Sequence, residues 1–181
     1  LATHDQVDWS AVHLFQVDER IAPAGSRDRN DTMIRERFVD HRPLVQYHPM
    51  PVEADDERSA LAGHLTELEH LAGTPARLDL IQLGLGADGH TASLVPGDPV
   101  LEAMTDVAVS AEYKGSRRWT MTAPLINRAC ERLFLVTGAE KDEALHRLAT
   151  GDPSIPGSLI TDDQTFLVTD RQIPGFSPTP W

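Results

Sequence analysis

The chain predicts an α/β fold built on a mainly parallel open sheet with helices on both faces, Rossmann-like in plan. Two features carry that expectation: short apolar runs rich in β-formers alternate with stretches of helical spacing, and one nearly continuous apolar run, residues 78–83, ends at a loop holding three glycines. A strand covered on both faces reads as such a run, and open parallel sheets deliver their ligand-binding groups at the carboxyl ends of strands. At 181 residues with 40% hydrophobic composition, the chain is long enough for one domain with a substantial core, expected to span residues 1–181.

In order along the chain, the opening residues 1–8 read as the continuation of a preceding segment, since the first residue is Leu1 rather than Met. Residues 12–17 (VHLFQV) are a strand whose carboxyl end hands over to Asp18, Glu19 and Arg20. A Pro, Gly and Ser-rich loop follows, and Asn30 or Asp31 is placed to cap a helix running to Phe38, which Arg42-Pro43 ends. Residues 44–47 form a short strand. Over residues 54–72, Leu61, Leu65, Leu68 and Leu71 recur at spacings of four, three and three, one face of a helix closed by Gly73. After the glycine loop, residues 106–110, 118–122 and 132–136 are strands, and residues 139–149 form a helix with His146 and Arg147 suited to its C-terminal dipole. Residues 165–168 are a last strand, leading into an irregular tail with Pro174, Gly175, Pro178 and Pro180.

Composition narrows the function. The 28 acidic residues exceed the 16 Lys and Arg, for a net charge of −12, which disfavours nucleic acid or an anionic membrane as partner. No apolar run reaches the roughly 18 residues of a membrane span. The single cysteine, Cys130, excludes an internal disulfide and a thiolate metal cage and suits a reducing cytoplasm. No histidine spacing matches a metal motif, so no metal is expected. No pattern in the chain specifies an oligomeric state.

Three polar clusters lack a packing reason: Asp18-Glu19-Arg20, Asp88-Gly89-His90, and the basic run Lys114, Arg117 and Arg118. If the sheet is parallel, they converge on one rim. His90 titrates near neutrality and is the natural base for activating water, with Asp88 two residues away to orient it; the alternative is an Asx turn capped by the imidazole. Gly86 and Gly89 permit close backbone approach to an anion or oxyanion. Arg20, with Lys114, Arg117 or Arg118, can hold a phosphate; surface ion pairing is the alternative. The run G-x-G-x-x-G from Gly84 to Gly89 also matches the dinucleotide fingerprint, but without a second βαβ unit to hold the acidic partner. Ser93 lies in no nucleophile elbow.

Taken together, WSAVHLF at 9–15, Asp18-Glu19-Arg20 with Pro23, GLGADGHTASLVPGDP at 84–99, PLINRA at 124–129 and TGAEK at 137–141 resemble the 6-phosphogluconolactonase family, in order over residues 9–168. The sister glucosamine-6-phosphate deaminases share the fold but carry Tyr after the Asp-Glu pair and a different run where this chain has GHTASLVP. The resemblance implies hydrolysis of 6-phospho-D-glucono-1,5-lactone, a small phosphosugar lactone, without metal or organic cofactor. It further implies His90 as the base, Asp88 and Asp18 as orienting groups, and Arg20 plus a basic residue of the 114–118 loop on the phosphate. A deaminase, or a non-catalytic remnant that binds a sugar phosphate, are the competing readings. Two departures accompany it. The family's opening strand and helix, with a Gly-Gly-Ser-x-Pro type loop, is not found before Trp9, and Lys114-Gly115-Ser116 stands where the family carries a proline run after its lysine.

Overall fold

The computed structural model describes residues 7–176. The reading of residues 1–8 falls largely outside it, as do Pro178 and Pro180 of the tail. Among the described residues eight strands and four α-helices follow one another in the order β1 (His13–Phe15), β2 (Asp18–Arg20), α1 (Asn30–Arg37), β3 (Gln46–His48), α2 (Glu57–Ala72), β4 (Leu80–Leu83), β5 (Val107–Val109), β6 (Arg118–Met121), α3 (Ala123–Arg128), β7 (Glu131–Val136), α4 (Asp142–Ala149) and β8 (Thr165–Thr169).

The fold is α/β, with parallel pairings between β1 and β3 and across β4-β7-β8. The strands fall into three separate ladders, however, and one of them, β2-β6-β5, is antiparallel. The run predicted over residues 12–17 breaks after Phe15. Gln16 is drawn inward, where its side chain accepts from the Met50 amide (2.6 Å) and donates to Glu19 (2.8 Å), and Asp18-Glu19-Arg20 then form a strand of their own rather than a loop after one.

That strand also explains the start of α1. Neither Asn30 nor Asp31 caps the helix, as was expected. Both lie inside its first turn, and the buried Glu19 carboxylate accepts their backbone N–H groups at 2.8 and 2.7 Å. The charges at 18–20 alternate as strand residues must, with Asp18 and Arg20 toward the cleft and Glu19 into the protein.

The core gathers Met50, Leu68, Ile81, Leu83, Trp119, Met121, Leu125, Phe134 and Leu145 between α2, α3, α4 and the strands. α2 presents Leu68 and the buried His64 to it, capped by Asp56 on the Ser59 amide. β4 departs from the expectation of two covered faces. Ile81 and Leu83 point into the core, whereas Leu80, with Leu135 of β7 and Phe166 of β8, is 54%, 45% and 44% exposed respectively, so the sheet buries one face in the period-two manner. The helix predicted from residue 139 begins as a 3-10 turn, Ala139–Lys141, after Gly138 at φ +102°, and becomes α-helical only at Asp142.

Candidate active site

The glycine loop after β4 closes on itself. The Gly86 amide donates to the His90 carbonyl (2.7 Å) and the Gly89 amide to the Gly86 carbonyl (2.9 Å). Both amides predicted to face an anion are therefore engaged within the loop. The need for glycine is steric instead: a Cβ on Gly86 would lie 2.1 Å from His90 Nδ1, and Gly89, at φ +82°, leaves no room beside Ile155. Gly157 anchors the loop from outside by donating to the Gly89 carbonyl (2.9 Å).

So held, His90 Nδ1 lies 2.5 Å from Asp88 Oδ1. Partial burial pushes the Asp88 carboxyl up, but hydrogen bonds from the Tyr113 hydroxyl (2.8 Å) and from His90 outweigh it and bring it down to about 2. An ionised carboxylate only accepts, so Nδ1 carries the shared proton, and in the neutral ring the lone pair is on Nε2. The Asx turn weighed as the alternative is present too, since the His90 amide approaches Asp88 Oδ1 at 3.3 Å; the turn and the oriented imidazole are one arrangement.

His90 lines an open cleft of about 320 Å³ together with Asp18, Arg20, Asn30, Gly86, Arg118 and Lys141. Arg20 and Arg118 are direct cross-strand partners on β2 and β6. Like charges opposite each other on a sheet are destabilising, so their pairing fits a place that an anion occupies. Arg20 is steadied by the Asp28 carbonyl (2.7 Å) and the Asn30 side chain (3.4 Å). Arg118 is buried, and its Nε has no hydrogen-bond partner among the described residues; burial first, and Arg20 second, lower its proton affinity.

Asp18 accepts from the Ser93 hydroxyl (2.6 Å) and Asn30 Nδ2 (3.1 Å). Burial raises its pKa above the ordinary carboxylate value, against the lowering pull of Ser93, Arg118 and Arg20. Ser93 is thus a buried hydrogen-bond donor to Asp18, reached by way of Ala92, which stands at φ +50° on the cleft wall.

The basic run divides. Arg118 enters the cleft. Lys114 lines an adjoining hollow of about 270 Å³ that shares Arg20 as its wall. Arg117 departs from expectation: strand alternation turns it outward, where it pairs with Glu57 on α2 (3.0 Å). Conversely, Lys141 and Asn30 line the cleft although the sequence predicts a site role for neither, and for Asn30 only a place as a helix cap. Lys141 follows the carboxyl end of β7, a parallel strand, and the rim rule that singled out residues 84–90 would have found it.

The family described as glucosamine-6-phosphate isomerases/6-phosphogluconolactonase matches residues 1–168. The chain belongs to this family. The 6-phosphogluconolactonase of Synechocystis sp. is 40% identical over 143 residues, covering 76% of this chain, and that of Mycobacterium tuberculosis is 34% identical over 185 residues, covering 94% of this chain and 75% of its own length. The chain spans 60% of the length of the Synechocystis relative. Among solved structures, the 6-phosphogluconolactonase of Thermotoga maritima superposes with a TM-score of 0.78 at 23% identity, over 91% of this chain and 74% of that one, a likeness of fold. The family thus holds both isomerases and lactonases, and the cleft has to separate them.

Proposed function

We propose that this protein hydrolyses 6-phospho-D-glucono-1,5-lactone to 6-phosphogluconate, the lactone-opening step of the oxidative pentose phosphate pathway, in the cytoplasm. The observation that supports it is a cleft in which an imidazole, fixed through Nδ1 by an ionised carboxylate, stands with two directly opposed arginines. The names of the relatives agree with it.

In the reaction, the phosphate binds to Arg20 and Arg118, with Lys141 and Lys114 adding positive charge, in a protein otherwise strongly acidic. Water loses a proton to His90 Nε2 as its oxygen attacks the lactone carbonyl. The C1 to ring-oxygen bond then breaks, and the imidazolium returns the proton to the departing oxygen, which becomes the C5 hydroxyl. Asp88 stabilises the transient cation and keeps the ring in its proton-accepting tautomer. Asp18, on Ser93 and Asn30, orients groups at the phosphate side.

The test is to generate the lactone freshly and follow acid release above the spontaneous rate, beside an assay for ammonia release from glucosamine 6-phosphate. Lactone turnover alone is the expected result. Ammonia release without lactone turnover, or neither activity, would overturn the reading.

A further inference from the structure

We propose that Tyr113 is a positioning residue of the His90 base, acting through Asp88. The inference rests on the lactonase reading for its kinetic consequences, but its geometry stands apart from it.

Residues 113–116 make a two-residue hairpin between β5 and β6. Tyr113 and Ser116 exchange backbone hydrogen bonds (3.0 and 3.3 Å), and the central Lys114 and Gly115 both take positive φ, +51° and +81°. Two consecutive positive φ values define a type I′ turn, the tight form whose twist suits paired strands. The turn brings Tyr113 back over the glycine loop, where its hydroxyl donates to Asp88 Oδ2 at 2.8 Å and its ring stands edge-on to His90, centroids 5.7 Å apart.

Both carboxylate oxygens are thereby assigned: Oδ1 to the imidazole, Oδ2 to the phenol. Asp88 is 39% exposed, and with one oxygen unheld its carboxylate would be free to turn toward water and release the ring. The same aromatic ring lies beneath two cations, with Lys114 Nζ 4.9 Å and the Arg118 guanidinium 5.2 Å from its centroid. The phenol hydroxyl thus meets the carboxylate that holds the base, while the ring meets two of the groups assigned to phosphate.

The two functions separate by substitution. Tyr113→Phe keeps the ring and removes the donor. It is expected to lower kcat about tenfold with KM within about twofold, and Asp88, followed by carboxyl carbon NMR without substrate, should titrate at higher pH than in the parent protein. Tyr113→Ala also removes the ring and should add a rise in KM. An Asp88 titration in Tyr113→Phe that coincides with the parent's would overturn the proposal, whatever the kinetics. A shifted titration in a protein inactive on the lactone would sustain the positioning role while sinking the lactonase reading.

Discussion

Among the described residues two imidazole–carboxylate pairs occur, and they differ in what their second ring nitrogen meets. In the cleft, His90 bonds Asp88 at 2.5 Å; at the far edge of the β1-β3 ladder, His48 bonds Glu67 of α2 at 2.8 Å. The second ring nitrogen decides the difference. His48 Nε2 is taken by His13 Nδ1 at 2.9 Å, and His13 Nε2 in turn by the Gln46 amide at 3.2 Å, which also donates to the Ser10 carbonyl (3.1 Å). With both rings neutral, every donor in that chain meets an acceptor, and nothing is left to accept a proton from a substrate. In the cleft, Nε2 is the nitrogen left over, and Arg20, Arg118 and Lys141 line the same cleft. A carboxylate beside a histidine is common; a second ring nitrogen with no protein partner among the described residues, in a cleft lined by opposed arginines, is what sets this pair apart.

The sharpest way to break that contrast is to remove the two rings separately. His90→Asn should lower kcat on the lactone by about 10³-fold, whereas His48→Gln should stay within about twofold and lose at most about 1 kcal/mol in urea denaturation. Equal kinetic effects would erase the distinction. Next in size is Gly86→Ala. Its methyl would fall on the imidazole, so His90 must swing off Asp88, and kcat should drop about 10²-fold, with loss of the His90–Asp88 contact visible in the nitrogen spectrum of His90. Then come the arginines. Arg118→Ala should raise KM about tenfold or more and abolish the thermal stabilisation by inorganic phosphate that is expected of the parent protein, while Arg117→Ala, which loses only its exposed contact with Glu57, should change neither beyond about twofold.

The smallest effects concern pH and stability. Asp88, held down to about 2, contributes stability that is present above the ordinary carboxylate range and lost as pH falls toward that value. Asp18 has the opposite sign. Its pKa is raised by burial, so its favourable contribution holds at low pH and is lost as pH rises through the raised value. Asp18→Asn should therefore gain about 1 kcal/mol at neutral pH while lowering lactonase turnover. A variant less stable at pH 7 than the parent would remove burial as the governing force at that position.

Much of this site is legible in the sequence. Asp88, His90 and Arg20 stand out because charge follows an apolar run and glycines follow the strand, and these features are local in the chain. What escaped was set by pairing partners distant in sequence. That β2 runs antiparallel to β6 depends on residues about a hundred positions away, and with it goes the opposition of Arg20 to Arg118. The outward turn of Arg117 follows from the same register, which composition does not reveal. Glu19 reads as one of three charges clustered at a strand end, yet its carboxylate caps α1 from a neighbouring strand, a role invisible to any rule based on the residues next to a helix. The Lys114-Gly115 turn was written in the chain as a basic residue before glycine; its left-handed geometry, and so the reach of Tyr113, came only with the two strands it joins.

The three residues of β2 carry an evolutionary consequence. Because alternate side chains go to opposite sides, a single insertion or deletion between Gln16 and Arg20 would exchange the sides: Glu19 would be thrust among the arginines and two hydrophilic groups driven toward Met50 and Arg29. Descendants of this chain can trade residue types on its surface loops at little penalty, but the count of residues in that short segment should be frozen.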